Sequence, residues 1–356
     1  MKGLVLAGGT GSRLRPITYT ANKHLIPIAN KPMLYYVIEN LKSVGITDIG
    51  VILGNNDPES VKKYLGDGSK LGVKITYIFQ GEPKGIAHAV YCAKDFTADE
   101  PFIVHLGDNL LKNGVRGLLD DFNNGEFDSV VAVCPVKNPE RFGVAEIDEN
   151  GKVLKLVEKP KTPKSNLALV GVYIFKPVIY DVIKSLKPSW RDELEITEAV
   201  DSVLQSGKSL SIHIIKGWWK DTGKPEDILE ANRLVLEDLN SENNGVVEDS
   251  ASITGRVSIG ENTVIKLGTV IKGPVVIGKN CVIGPNTYVG PYTSIGDNTI
   301  IEEGDIEDSI IIGNTKIKVK EKIVDSIIGE NCEIVESEKL PKGNRFVVGE
   351  SSKIHF

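Results

Sequence analysis

From Ile253 onward an aliphatic residue recurs every six positions without a miss: Ile253, Ile259, Ile265, Ile271, Ile277, Ile283, Val289, Ile295 and Ile301. Glycine follows directly at 260, 278, 284, 290 and 296. A helix repeats near 3.6 residues and a strand at 2, so a period of six marks a unit that stacks on copies of itself. The pattern predicts a left-handed parallel β-helix. Each hexapeptide builds one flat side of a triangular coil and turns its aliphatic residue inward. The period breaks after 301. "DSIIIG" (308–313) and "DSIIGENC" (325–332) read as further coils after short insertions, with "RFVVGESSKIHF" (345–356) as a cap.

The first two thirds of the chain have another texture. "GLVLAGG", "DIGVILG", "VKITYIF", "PFIVHLGD" and "SVVAVCPV" are strand-like runs, and segments such as "PMLYYVIENLKSVGI" between them have helical spacing, with Gly45 as a C-cap. This alternation predicts an α/β domain with a mainly parallel sheet, whose ligands sit at the carboxyl ends of its strands. At 356 residues two domains are expected. The polar "SENNG" after a last helix puts the boundary near 240–246, giving domains 1–240 and 246–356.

The charge balance narrows the partners. Net charge is −6 with no basic block, so neither nucleic acid nor a membrane surface is an expected partner. The four cysteines, Cys92, Cys134, Cys281 and Cys332, form no CxxC pair, which speaks against zinc and a disulfide framework and for a reducing compartment. No apolar run approaches the roughly 20 residues of a membrane span or forms a leader, so a cytoplasmic protein is expected.

The chemistry begins at "LVLAGGTGSRLRPITYTANKHLIPI" (4–28), an apolar strand that breaks into glycine and then gathers Arg13, Arg15 and Lys23. Bare backbone amides followed by cations suit an anion, most often phosphate. The loop lacks the GK[ST] of a P-loop, and Leu14 stands at the third glycine of GxGxxG. Instead it resembles the signature L-A-G-G-x-G-[ST]-R-L-x-P-x-T-x4-K-x-x-x-P of the sugar-1-phosphate nucleotidylyltransferases. Further matches follow in that family's order: "QGEPKGIAHAV" (80–90), "HLGDN" (105–109), "RFGVAEID" (141–148), "VEKPKTPKSNLALVGVYIF" (157–175), "DELEIT" (192–197) and "WWKDTG" (218–223). With the solenoid appended, the whole chain is similar to the long form of the glucose-1-phosphate thymidylyltransferases, a Rossmann-like nucleotidyltransferase domain followed by a β-helix.

The resemblance implies roles for named residues. Gly8, Gly9 and Gly11, with Leu6 and Ser12 of the same loop, would receive the triphosphate, because no Cβ keeps the backbone amides away. Arg13 would neutralise the α- and β-phosphates, and Lys23 would stand between the triphosphate and the incoming sugar phosphate. Asp108, beside Asn109, and Asp221 would hold Mg²⁺. Gln80 and Gly85 would read thymine or uracil. Gly143, Glu158 and Leu169 would line the sugar pocket, with Lys159 on the sugar phosphate. Taken alone, several of these have ordinary readings: a strand-terminal "GD" is often a turn, and "EKP" often precedes a bend. His24 and Lys84 depart from the short-form thymidylyltransferase pattern (Gln and Asp), and both changes touch the nucleotide side.

The implied reaction is one in-line displacement on dTTP or UTP by glucose 1-phosphate, whose nucleophilic phosphate is already anionic, so positioning and charge neutralisation carry the rate. Uridylyl transfer, and guanylyl transfer to mannose 1-phosphate, are the alternatives within the family. A catalytically silent regulatory subunit would be expected to lack Arg13, Lys23, Asp108, Lys159 or Asp221, and all are present. β-Helix acyltransferases use a loop histidine, yet the histidines stand at 24, 88, 105, 213 and 355, none within the repeats. The solenoid therefore reads as a structural module through which a homo-oligomer assembles.

Overall fold

The structure is a computed structural model and describes residues 1–336; the expected cap at 345–356 lies outside them. The chain parts into two compact units between Val235 and Leu236.

The first unit is built on β1 (Lys2–Ala7), α1 (Met33–Ser43), β2 (Asp48–Leu53), α2 (Pro58–Leu65), β3 (Lys74–Phe79), α3 (Ile86–Cys92), β4 (Phe102–Leu106) and β5 (Asn109–Leu111). There follow α4 (Arg116–Asn124), β6 (Ser129–Pro135), β7 (Gly143–Ile147), β8 (Val153–Glu158), β9 (Leu167–Phe175), α5 (Val178–Ser185), α6 (Ile196–Gln205), β10 (Leu210–Ile214), β11 (Trp219–Asp221) and α7 (Pro225–Leu236). Nine strands form one sheet in the order β8-β7-β9-β4-β1-β2-β3, with β6 pairing both β9 and β10. The β3-β2-β1-β4 portion is parallel, as expected, while β9 runs antiparallel to its neighbours β4, β6 and β7.

The helices cover both faces because each carries one apolar stripe. On α1 the buried residues Leu34, Val37, Ile38 and Leu41 follow the i, i+3, i+4, i+7 spacing of one helical face. They join α2 and α4 in a core on one side of the sheet. Ala87 and Val90 of α3, Ile179 and Ile183 of α5, and Ala199 and Val203 of α6 build the core on the other. Gly45, in the left-handed region at φ 82°, follows the last turn of α1, where a Cβ would be strained.

Strand order 3-2-1-4 puts a topological switch between β1 and β4, and a crevice opens at the carboxyl ends of such neighbours. The segments that leave those ends are Gly8–Gly9 after β1, Gly54 after β2, Gln80 after β3 and Gly107–Asp108 after β4.

The second unit is a three-sided parallel coil with sheets of six, six and five strands, the architecture of a left-handed β-helix. Ile259, Ile277, Ile295, Ile311 and Ile328 stack rung on rung along one side. Val247, Ile265, Ile283, Ile301, Ile317 and Ile334 line the second, and Ile253, Ile271, Val289, Ile306 and Ile323 the third. The expected insertions after 301 are not there. Ile301, Ile306 and Ile311 stand five residues apart instead of six, so each side loses one residue at its corner while the inward isoleucine keeps its place. At one corner Asn262, Asn280, Asn298 and Asn314 adopt positive φ, and each donates its side-chain amide to the next, Asn314 passing on to Glu330. Asparagine tolerates this conformation where larger side chains do not.

Candidate active site

Two cavities open at the switch point and share Ile86, Leu106, Asp108 and Glu193. The first, of about 360 Å³, is walled by Leu6, Gly8, Gly9, Lys23, His24, Gln80 and Gly85. The second is walled by Arg13, Asn109, Gly143, Glu158, Lys159, Leu169 and Asp221. Every residue given a role by the resemblance lines one or the other except Gly11 and Ser12; of the two departures, His24 lines the first cavity, whereas Lys84, like Arg15 of the loop, lines neither. Gly11 and Ser12 shape the loop instead: Gly11 accepts hydrogen bonds from Thr18 Oγ1 at 2.7 Å and Leu14 N at 2.9 Å, and Ser12 opens a 3₁₀ turn.

Lys23 and Asp108 form an ion pair where the cavities meet. Lys23 sits on a 3₁₀ turn capped by Asn22, whose Oδ1 accepts from His24 N at 3.0 Å and stands 2.9 Å from His24 Nδ1. Burial, reinforced by the Lys23 charge, pushes the His24 imidazole down to about 3, so this ring is neutral at pH 7. Gly9 lets the lysine approach: a Cβ there would come 2.7 Å from Lys23 Cε and 2.9 Å from Nζ. Against the cost of burial, the Lys23 ammonium and a 2.9 Å bond from Asn109 Nδ2 hold the Asp108 carboxyl well below the usual range. Trp219 Nε1 donates to Asn109 Oδ1 at 2.7 Å, fixing that amide in turn.

Asp221 lies 113 positions from Asp108 in sequence, and a short antiparallel ribbon joins them. β11 pairs with β5 so that Asp221 stands opposite Asn109. The next residue, Thr222, donates from both N and Oγ1 to the Asp108 carbonyl, at 3.0 and 2.8 Å. Burial, and then the nearby Asp108 charge, push the Asp221 carboxyl up to about 6. Arg13 packs over Gly223, where a Cβ would meet its Nη2 at 2.6 Å, and its charge acts back on Asp221.

On the sugar side Glu158 is held by Thr197 Oγ1 at 2.7 Å, Lys159 Nζ at 3.5 Å and Arg191 Nη1 at 3.6 Å. Gly143 makes room for this cluster: a Cβ would stand 2.4 Å from Thr197 Oγ1 and 3.1 Å from Glu158 Oε2. Lys159 adopts φ 43°, a strained conformation for a side-chain-bearing residue and one that concentrates at ligand clamps. Sequence reasoning gave no role to Arg141, Arg191, Thr197 or Trp219, which also line this cavity. The signal was present in "RDELEIT" and "WWKDTG", segments whose side chains gain meaning only once Glu158 and Asn109 are opposite them.

The donor set also suits a divalent cation. Two carboxylates converge and repel, and among the described residues no group of three His, Cys, Asp or Glu could enclose a metal. A cation here would take its remaining ligands from water and phosphate oxygens, the habit of Mg²⁺.

A nucleotidyl transferase profile matches residues 2–238, two thirds of the sequence. The chain belongs to the nucleotidyl transferase family. The profile of the GMPPB C-terminal domain matches residues 271–355. The chain is 52% identical over 355 residues to the low-salt glycan biosynthesis nucleotidyltransferase Agl11 of Haloferax volcanii, covering 99% of both proteins. It is 44% identical to the glucose-1-phosphate thymidylyltransferase of Streptomyces antibioticus, again over 99% of both. Among solved structures, a Bacillus anthracis protein assigned as a glucose-1-phosphate thymidylyltransferase, in complex with sucrose, superposes with a TM-score of 0.64 at 42% identity, covering 68% of this chain and 98% of that one. The chain is therefore a nucleotidyltransferase enzyme.

Proposed function

We propose that the chain transfers the nucleotidyl group of dTTP, or of UTP, to glucose 1-phosphate, releasing pyrophosphate and leaving a nucleoside-diphosphate glucose. The observation that carries this reading is Asp108 on the wall shared by two cavities, paired with Lys23 of the first, which the glycine loop and Gln80 also wall, and near Asp221 of the second, which Glu158, Lys159 and Gly143 also wall.

In this mechanism the backbone of Gly8 and Gly9 approaches the triphosphate, and Arg13 neutralises the phosphates that depart. Lys159 holds the sugar phosphate and Glu158 accepts from sugar hydroxyls. Lys23 aligns the attacking phosphate oxygen with the α-phosphorus. No general base is needed, because the nucleophile is an anion at pH 7, and catalysis rests on alignment and charge. Asp108 and Asp221 would hold Mg²⁺, which supplies Lewis acidity at the α-phosphate. The solenoid is assigned an assembly role, giving a homo-oligomer, and the four free cysteines fit a reducing, cytoplasmic site of action.

Pyrophosphate release with Mg²⁺ and glucose 1-phosphate, offered dTTP, UTP, GTP, ATP and CTP in turn, tests the reading. Turnover with dTTP or UTP, lost on chelation, supports it. Turnover only with GTP and mannose 1-phosphate moves the chain to guanylyl transfer, and silence with every pair overturns it.

A further inference from the structure

Gln80, the residue assigned to the nucleotide base, has neighbours that decide which end of its amide faces the cavity. Its Nε2 donates to the backbone carbonyl of Gly85 at 3.1 Å. A carbonyl only accepts, so chemistry sets the amide's orientation. The same Nε2 faces His88 Nδ1 at 3.4 Å. An NH₂ group can turn toward a ring nitrogen only if that nitrogen carries the lone pair, which makes His88 the Nε2–H tautomer, with Nε2 directed at Cys92 Sγ 3.8 Å away. Both amide hydrogens of Gln80 are thereby engaged. Its oxygen lies over Gly8 on the cavity wall, where a Cβ would come within 3.0 Å of it. His88 itself stands behind Gln80 on α3 rather than on the wall. Burial and the nearby Lys84 lower its pKa, against the pull of Glu82, which keeps the lone pair available.

We propose that His88 is a positioning residue that locks the Gln80 amide with its oxygen toward the cavity, so that the site selects a base presenting an N–H on its pairing edge. The proposal rests on the pyrimidine-nucleotide reading above. Thymine and uracil offer N3–H to that oxygen. Cytosine offers a lone pair at N3, so two acceptors would confront each other, and an unpaired polar contact in a closed site discriminates strongly. Without His88 the Gly85 carbonyl alone orients the amide, so turning its NH₂ toward the cavity, which suits cytosine, forfeits one hydrogen bond instead of two.

The test compares kcat/KM for dTTP and dCTP, with glucose 1-phosphate as acceptor, in the wild-type chain, His88→Phe and His88→Asn. Phenylalanine keeps the ring's bulk and removes the acceptor; asparagine Oδ1 restores one. The expected result is that the dCTP/dTTP ratio rises about tenfold in His88→Phe, through KM for dTTP with kcat within about twofold, and returns to the wild-type value in His88→Asn. An unchanged ratio in a folded His88→Phe overturns the proposal, as does an equal shift in both variants. Should phenylalanine prevent folding, His88→Leu takes its place under the same criteria. Failure of the wild-type chain to use either dTTP or UTP would overturn the functional reading instead, and is seen before any variant is made; if UTP is the one used, UTP and CTP are compared under the same criteria.

Discussion

Gly9→Ala separates the account's catalytic geometry from its fold. Gly9 does not occupy the left-handed region, so alanine meets no backbone strain there. Its methyl group would stand 2.7 Å from Lys23 Cε and 2.9 Å from Nζ. Carbon atoms in contact prefer about 3.5–4.0 Å, so the lysine tip must move by roughly 1 Å. A flexible side chain can make that move cheaply, and stability should change by less than about 1 kcal/mol. The tip, however, is the group that pairs with Asp108 and is to align the incoming phosphate. A misplacement of about 1 Å in such a group costs on the order of 100-fold, about 2.7 kcal/mol of transition-state stabilisation. Pyrophosphate release gives kcat/KM, and thermal melting reports the fold. A folded Gly9→Ala variant with activity within twofold of wild type would refute the reasoning, because Lys23 would then not need its observed place.

Other expectations follow from the same structure. Gly143→Ala drives a methyl into Thr197 Oγ1 and toward Glu158, so KM for the sugar phosphate should rise about tenfold while KM for the nucleotide stays put; parallel rises in both would contradict the assignment of that cavity. His105 is fully buried, and burial lowers its pKa from 6.5 to about 4, so below pH 6.5 the unfolded chain binds a proton that the folded one does not. Its contribution is intact above pH 6.5 and is lost as pH falls to about 4, at roughly 1.4 kcal/mol per unit; denaturant titrations at several pH values should show a shallower acid limb in His105→Phe. Ile283→Ala removes a fully buried side chain stacked between Ile265 and Ile301, and should destabilise the solenoid by about 2–5 kcal/mol, read as a lowered melting transition.

The hexapeptide period was legible because every sixth side chain meets the same environment, and a stacked coil repeats that environment by construction. The slips at Ile306 and Ile311 were not, since a lost corner residue and an added one break a sequence period alike. The parallel strands could be read from their buried runs. The reversal of β9 could not: Leu167–Phe175 is buried throughout, and a strand covered on both faces has the same composition in either direction. The glycine loop and Lys23 were readable because their motif is contiguous, and Gln80 because it opens a contiguous stretch of its own with Gly85 (80–90). The meeting of Asp108 with Asp221 depends on β5 and β11, strands of three residues each, too short to carry a periodic signal. Arg191 and Thr197 escaped assignment for a related reason, since their partner Glu158 lies more than thirty positions away.

The central claim is that one site couples a nucleoside triphosphate to a sugar phosphate. Phosphorus NMR of the purified protein with Mg²⁺, dTTP and glucose 1-phosphate tests it most directly, because it sees every phosphorus at once. The expected spectrum shows a nucleoside-diphosphate hexose and pyrophosphate appearing in equal amounts, reversal when pyrophosphate is added in excess, and neither signal in Lys23→Ala or Asp221→Asn. Release of pyrophosphate with nucleoside monophosphate and unreacted sugar phosphate, or coupling that survives in both variants, would contradict it.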